Sequence, residues 1–351
     1  MEKKTTYHEQ KDVENILRLR EVLSTLPPFC RDYFRAIDTT TTTKTRISYA
    51  YDIRIFFQFL LDENPAFKDY KMTDFTVNVL DQVKALDIEE YQEYLKVYQA
   101  GDKTETNGER GLKRKISALR SFYAYYYRRE MIETNPTVLI DVPKIHDKSI
   151  IRLDTDEVAL LLDYIEHCGD QLTGQKRVYY EKNKERDLAI VTLLLGTGIR
   201  VSECVGLDIE DVDFKNNGIK VTRKGGNEMV VYFGPEVEKA LKRYLEVREN
   251  IIPLEGHEHA LFYSAQRRRI GVQAIENLVK KYSQQITTTK KITPHKLRST
   301  YGTALYQETG DIYLVADVLG HKDVNTTKKH YAAIDDARRR QAAKAVKLRE
   351  D

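Results

Sequence analysis

The sequence predicts a mainly α-helical protein of two domains, an all-α N-terminal domain and a mixed α+β C-terminal domain with a small antiparallel sheet. Apolar residues recur at helical spacing through much of residues 11–131. Two short strand patterns flank a glycine-bearing turn at residues 218–233. Between these regions, residues 135–148 are polar and punctuated by proline, as is typical of a linker. A chain of 351 residues with 41% apolar side chains is long enough for two cores.

Composition excludes several classes of protein. The 57 Lys and Arg nearly balance the 54 Asp and Glu, so a polyanionic partner would require basic residues gathered on particular faces. Cys30, Cys168 and Cys204 are odd in number and widely spaced, which argues against disulfides or a cysteine zinc site and fits a reducing cytoplasm. No apolar run approaches the roughly 18 residues of a membrane span, so we expect a soluble, cytoplasmic protein without a membrane partner.

Helical periodicity in the N-terminal region predicts four main helices, at Lys11–Leu26, Lys44–Leu61, Ile88–Tyr98 and Arg110–Met131. A threonine run at residues 39–43 offers N-caps for the second helix. Basic residues accompany the apolar faces of the second and fourth helices, and the candidates for DNA binding are Lys44, Arg46, Lys113, Arg114 and Lys115. A basic face with hydroxylated ends suits a phosphate backbone, although an ordinary solvated face explains the same pattern.

The second domain is predicted to begin near residue 150, where the acidic cap at residues 154–157 starts a helix. An apolar helix ends at residues 196–198, and Arg200 lies on the sharp corner that leads into another short helix. The two strands, residues 218–222 and 229–233, present Lys224 in the turn that joins them. Both basic residues are therefore predicted at turns.

Later helix ends present further polar side chains. Thr293 is a good N-cap, so His295 and Arg298 lie three apart on one face near a helix N-terminus, where an anion is favoured. The next helix is predicted to close at Gly320, which places His321 in the turn. Tyr331 is the only tyrosine after His321.

These motifs together resemble those of the tyrosine recombinases of the phage integrase family, and the size and layout are most similar to the Xer branch. The motifs are residues 197–203, Lys224 in a hairpin, residues 295–298, residues 319–321 and the closing tyrosine. The resemblance covers nearly the whole chain. In the family the tyrosine commonly follows this histidine by nine residues, whereas Tyr331 follows His321 by ten and His330 occupies the ninth position.

The resemblance implies a role for each polar residue of the motifs. Arg200 and Arg298 would clamp the scissile phosphate, and Glu203 would support the first arginine. Lys224 would protonate the leaving 5′ oxygen, and His295 would act in proton transfer. His321 would donate a hydrogen bond to the phosphate, and Tyr331 would be the nucleophile. Taken singly, these residues have duller explanations, such as a helix cap, a solvated lysine or a buried histidine. Their joint occurrence in one order favours the catalytic interpretation.

Elementary chemistry is consistent with those roles. Displacement at a phosphodiester spreads negative charge over the non-bridging oxygens, which two guanidiniums can stabilise by bidentate hydrogen bonds. A metal could do the same, but no carboxylates are spaced as a two-metal site, and we expect no metal or other cofactor. A phosphotyrosyl link conserves the energy of the broken bond, so rejoining needs no ATP.

The family resemblance also implies an organisation and an assembly. Residues 1–145 would form a core-binding domain, a SAM-like helical bundle that binds DNA, followed by a linker at about 140–152 and a catalytic domain at 150–351. A partly apolar helix at about 334–349 is too small to be stable alone, so it would dock on its own domain or on the neighbouring subunit of a homotetramer that holds two DNA sites.

The expected function is site-specific recombination through a 3′-phosphotyrosine and a Holliday junction at an inverted-repeat core site in double-stranded DNA. An Xer-like protein would resolve chromosome dimers at a dif-like site, associate with the nucleoid and possess a DNA translocase as a possible partner. The integrase of a mobile element would share this chemistry. A monomeric type IB topoisomerase would use nearly the same pocket, and a non-catalytic DNA-binding protein would require the pocket to be degraded.

Overall fold

The computed structural model of the protein describes residues 6–146, 150–223, 226–321, 323–325 and 327. The chain divides into two compact units, Met1–Lys148 and Ser149–Asp351. Helices dominate both units, and the strands form small antiparallel sheets, which confirms the predicted fold class. No helix in the described ranges is long and apolar enough to cross a membrane.

The described residues of the N-terminal unit form six α-helices around an aromatic core. The helices are α1 (Tyr7–Leu23), α2 (Cys30–Ala36), α3 (Thr43–Glu63), α4 (Val79–Gln82), α5 (Ala85–Tyr94) and α6 (Glu109–Tyr127). Thr42 is the N-cap of α3, and its hydroxyl accepts from the backbone N–H of Thr45, so the threonine run does provide a cap. Phe56, Phe57 and Phe122 are buried and meet largely edge to face, the arrangement that aromatic rings prefer.

A two-stranded hairpin corrects the prediction that this unit is entirely helical. The predicted helix Ile88–Tyr98 ends at Tyr94, and the chain continues as β1 (Val97–Ala100) and β2 (Lys103–Thr106). Gly101 has a φ of +62° in the two-residue turn, a conformation that glycine adopts readily. The strands bury almost nothing, so they lack the alternation of apolar and polar residues that identifies a strand in a sequence.

A buried cluster of charges joins α3 to α6. The Asp52 carboxylate, 2% exposed, accepts a hydrogen bond of 3.0 Å from Lys115 Nζ and another from Arg114. Lys115 is itself only 5% exposed. Lys115, a predicted DNA-binding residue, is therefore buried in an ion pair with Asp52 and does not lie on an exposed basic face.

We expect Asp52→Ala to lower the free energy of unfolding of this unit by about 3–5 kcal/mol, because it leaves the Lys115 ammonium buried without its carboxylate. Replacing both groups, as Asp52→Leu with Lys115→Met, should recover most of that loss. The surface variant Asp62→Ala is the control and should change stability by about 0.5 kcal/mol or less. Hydrogen exchange of the α3 and α6 amides measures the effect, and equal losses in Asp52→Ala and Asp62→Ala would contradict it.

The described residues of the C-terminal unit form seven α-helices and a three-stranded sheet. The helices are α7 (Thr155–His167), α8 (Gly174–Thr197), α9 (Val201–Gly206), α10 (Pro235–Arg248), α11 (Val272–Ile286), α12 (Pro294–Thr309) and α13 (Ile312–Leu319). The strands β3 (Val212–Asp213), β4 (Gly218–Thr222) and β5 (Glu228–Tyr232) pair antiparallel in the order β3-β4-β5. The two predicted strands are confirmed as β4 and β5, which pair from Gly218 with Tyr232 to Thr222 with Glu228.

Helix α8 forms the centre of this unit. Residues 188–194, within its second half, are all buried, and the helix packs against α7, α10 and α12. All three cysteines are buried, and burial raises the pKa of the Cys204 thiol to about 12. The apolar half of α8 leads directly into the corner at residues 198–200, so the core of the unit fixes the position of that corner.

Candidate active site

The C-terminal end of α13 is the point at which the candidate site residues converge. Gly320 adopts a left-handed conformation with a φ of +61°, and its N–H donates to the carbonyl of Asp317 at 2.8 Å. The N–H of His321 donates to the carbonyl of Ala316 at 2.9 Å. These two bonds form a Schellman cap, which confirms the predicted closure of the helix at Gly320. The cap turns the chain sharply and places His321 immediately beyond the helix.

Arginine side chains donate to the carbonyls at this helix end. Arg200 Nη2 donates to the carbonyl of Gly320 at 3.3 Å, and Arg298 Nη2 donates to the carbonyl of Leu319. Arg223 donates through Nη2 to the carbonyl of Val318 at 2.7 Å and through Nη1 to that of Asp317 at 3.3 Å. The guanidiniums come from three separate elements and meet where the helix dipole is negative.

Arg200 lies at the corner between α8 and α9, as predicted. Gly198 ends α8 with a φ of +62°, and Arg200 is the N-cap of α9. The Glu203 carboxylate, which is buried, accepts from the backbone N–H of Arg200 at 2.8 Å and from its Nη1 at 2.7 Å. The side chain of Arg200 is nevertheless 37% exposed. Glu203 therefore fixes both the backbone and the guanidinium of Arg200 while part of the side chain faces solvent.

Arg298 is the most deeply placed of these arginines and is 5% exposed. Its Nη1 donates to the carbonyl of Gly198 at 2.5 Å, in addition to the bond from Nη2 to Leu319. One side chain thus joins the corner after α8 to the end of α13. A planar guanidinium suits this arrangement because its donors point in fixed directions.

The two predicted histidines occupy different environments. His321 is half-buried, and its Nδ1 lies 2.7 Å from the hydroxyl of Thr327, which is fully buried. This hydrogen bond fixes the plane of the imidazole ring. His295 is exposed in the first turn of α12, one turn before Arg298. Its predicted position near a helix N-terminus is confirmed.

The structure brings together Arg200, Glu203, Arg298 and His321. The predicted residues Lys224 and Tyr331, and the predicted helix at about 334–349, lie outside the described residues. Within the described ranges, no group of three or more His, Cys, Asp or Glu side chains is arranged to hold a metal ion.

Sequence reasoning missed Arg223. Burial lowers the pKa of its guanidinium, the nearby Arg200 lowers it further, and Glu203 and Asp317 oppose that change. This combination of causes places Arg223 among the other charged groups of the site. An arginine at the end of a strand, beside a glycine-rich turn, is ordinarily a solvated residue. Only its contact with α13 identifies Arg223 as part of the candidate site.

The sequence model of the phage integrase family matches residues 152–338, which is more than half of the chain. The chain belongs to the phage integrase family. This assignment confirms the resemblance inferred from the motifs at residues 196–331.

Relatives place the chain in the Xer branch of the tyrosine recombinases. It is 32% identical over 350 residues to the tyrosine recombinase XerS of Lactococcus lactis subsp. cremoris (strain MG1363), covering 92% of this chain and 96% of the relative. It is 32% identical over 329 residues to the tyrosine recombinase XerC of Caldanaerobacter subterraneus subsp. tengcongensis, covering 90% of this chain and 86% of the relative.

Solved structures of the family share the fold. The Tn1549 transposon integrase in complex with a circular intermediate DNA has a TM-score of 0.63 and 21% identity, covering 90% of this chain and 98% of that one. The XerH recombinase in a post-cleavage complex with palindromic difH substrate has a TM-score of 0.62 and 20% identity, covering 86% of this chain and 78% of that one. The family fold thus extends over most of the chain.

We expect Gly198→Ala to lower the free energy of unfolding of the C-terminal unit by about 3 kcal/mol, from left-handed strain and overpacking together. An added Cβ would lie 2.3 Å from Cδ1 of Tyr301 and 3.0 Å from Cδ2 of Leu319. Gly256→Ala is the matched control, because Gly256 has a φ of +81° with nothing within 4 Å of an added Cβ. It should cost only the strain, about 1 kcal/mol.

Chemical denaturation followed by circular dichroism, with hydrogen exchange of the α8 and α13 amides, measures both variants. Equal losses in the two variants would show that the neighbours of Gly198 can move aside, so that the corner is less constrained than its contacts indicate.

Proposed function

We propose that this protein is a site-specific recombinase that cleaves one DNA strand per subunit through a 3′-phosphotyrosyl link to Tyr331 and passes through a Holliday junction. Membership of the tyrosine recombinases supports DNA cleavage and rejoining, and the Xer relatives support site-specific recombination. The observation that carries the proposal is the convergence of Arg200 and Arg298 beside His321 at the end of α13.

The two arginines are proposed to bind the scissile phosphate before the reaction begins. Glu203 and the carbonyls of Gly198, Leu319 and Gly320 hold the guanidiniums in place, so little reorganisation would be needed as negative charge develops. Arg200 is the more exposed of the two and is suited to meet a non-bridging oxygen directly. Arg298 would hold the pocket together as well as contribute charge.

The remaining residues are proposed to transfer protons and attack the phosphorus. The Tyr331 oxygen forms a bond to phosphorus while the bond to the 5′ oxygen breaks. His295 accepts the phenol proton, and Lys224 gives a proton to the leaving 5′ oxygen. His321 donates a hydrogen bond to the phosphate. A 5′ hydroxyl then attacks the phosphotyrosine to rejoin the strand, so the proposed reaction needs no metal ion and no ATP.

The N-terminal unit is proposed to bind the DNA backbone through the first turns of α3 and α6. Lys44 and Lys113 are exposed on these packed helices, and the Arg114 side chain is 48% exposed beside Asp52. Arg46 is 12% exposed and paired with Asp38, so it would contribute less. Lys115 is left out because it is buried. Exposed lysines that displace counterions would give affinity without selecting a sequence.

For the biological role we propose Xer-type resolution of chromosome dimers at an inverted-repeat site, by a homotetramer in the cytoplasm associated with the nucleoid. XerS and XerC relatives that match about nine tenths of the chain support this choice. The integrase of a mobile element is the second candidate, because the fold of the Tn1549 transposon integrase is as similar to this chain as that of the XerH recombinase. A DNA translocase is a possible further partner.

We expect wild-type protein to form a covalent adduct with a nicked duplex that carries its inverted repeats, in EDTA, and Tyr331→Phe to form none. The nick lets the short cleaved fragment diffuse away, so the adduct accumulates on a denaturing gel. Tyr313→Phe is the control, because Tyr313 is 72% exposed on α13 and has no proposed role. It should form the adduct as wild type does.

An adduct in Tyr331→Phe would show that another residue is the nucleophile, and an adduct that EDTA abolishes would show that a metal is required. Two differently labelled duplexes in one reaction test for recombination. Exchange of labels is expected of a recombinase, whereas cleavage and resealing without exchange would favour a type IB topoisomerase.

We expect truncation after Ile334 to abolish synaptic tetramers and strand exchange while leaving binding to a single site nearly unchanged. The reason is that the proposed C-terminal helix would dock on the neighbouring subunit. Mass photometry of the protein on one and on two DNA sites measures the assemblies. Tetramers and exchange that survive the truncation would show that the segment docks on its own domain or serves another purpose.

A further inference from the structure

Arg223 links the β4–β5 hairpin to the end of α13. Its backbone is fixed at the base of the turn, because its N–H donates to the carbonyl of Asn227 at 2.8 Å and its carbonyl accepts from Gly226 at 3.0 Å. Its guanidinium donates to the carbonyls of Val318 and Asp317 at 2.7 and 3.3 Å. Residues far apart in sequence are thereby held together through one side chain.

The guanidinium of Arg223 lies directly against Gly320. A Cβ added to Gly320 would lie 1.7 Å from Arg223 Nη1 and 2.3 Å from Cζ. The φ of +61° at position 320 favours glycine, and the absence of a side chain there leaves room for this guanidinium. Arg200 donates to the carbonyl of the same residue, so two guanidiniums contact Gly320, the residue that precedes His321.

We infer that Arg223 is a positioning residue for the reaction, which acts by fixing the turn at Gly320 and His321. The inference rests on the proposed function, in which His321 donates to the scissile phosphate. Without Arg223, the carbonyls of Asp317 and Val318 lose their arginine donor, and the end of α13 loses its contact with the β4–β5 hairpin. Displacement of a contacting group by about 1 Å can cost about 100-fold in rate, so a loosened turn should slow cleavage without weakening DNA binding.

The test compares Arg223→Gln and Arg223→Lys with wild type in single-turnover cleavage of the nicked duplex at saturating protein. We expect the cleavage rate to fall about 10- to 100-fold in Arg223→Gln, with the Kd for intact duplex changed by about threefold or less. Arg223→Lys keeps the charge but lacks the planar pair of donors, so it should also be slower than wild type.

Arg248→Lys is the matched control. Arg248 is a buried arginine of the same unit that also donates to carbonyls, those of Glu258, Ala260 and Leu261, and none of these belongs to the site. Its substitution should reduce thermal stability and leave the cleavage rate of the folded protein unchanged. The inference would be overturned if the Arg223 variants lost cleavage only in proportion to the fraction of unfolded protein, as is expected of this control.

A double-mutant cycle with His321→Ala tests the route by which Arg223 acts. If Arg223 acts through His321, the double variant with Arg223→Gln should cleave about as slowly as His321→Ala alone, because the two losses share one cause. The inference would be overturned if the rate losses of the two single variants multiplied in the double variant. It would also be overturned by wild-type cleavage rates in both Arg223 variants, or by weaker DNA binding at an unchanged cleavage rate. If wild type itself forms no Tyr331 adduct, the proposed function fails first, and this result is distinct from the other outcomes.

Discussion

The carbonyl groups at the end of α13 are the constraint on which the site depends. A helix end leaves its last carbonyls without partners inside the helix, and burying them unpaired would be costly. The Schellman cap provides backbone donors to Ala316 and Asp317, and arginines donate to Asp317, Val318, Leu319 and Gly320. The elements that carry these arginines, the corner after α8, the end of β4 and the second turn of α12, must therefore assemble at this helix end. Satisfying the helix also builds the site.

The sequence predicted the local turn chemistry well. Glycine at positions 198 and 320, and the proline that follows Thr293, each specify a backbone conformation from one or two residues, and the structure has the expected corner, cap and helix start at those positions. These turns carry Arg200, Arg298 and His321, so much of the site could be placed before the fold was known. These three turns could be predicted from neighbouring residues alone, without knowing which distant residues they contact.

Features that depend on distant partners were missed. Lys115 pairs with Asp52, 63 residues earlier, and Arg223 binds Val318, 95 residues later. A signal for Lys115 did exist, because it follows Leu112 and precedes Ile116 and Leu119 at core spacing on α6. A lysine at such a position needs a buried acid, and Asp52 occupies the matching face of α3. No comparable signal identifies Arg223, because nothing in the hairpin sequence specifies which helix end it meets.

The two clusters of cations in this protein also differ in what holds them. In the N-terminal unit, the Asp52 carboxylate compensates for the charge of Lys115 and Arg114 at short range, which suits a structural contact. At the end of α13, Glu203 is the carboxylate that pairs with Arg200, and backbone carbonyls hold Arg223 and Arg298. Carbonyl dipoles orient a guanidinium but do not cancel its charge. Carbonyl partners thus hold the arginines while removing less positive charge than carboxylates would, which suits a site proposed to bind a phosphate.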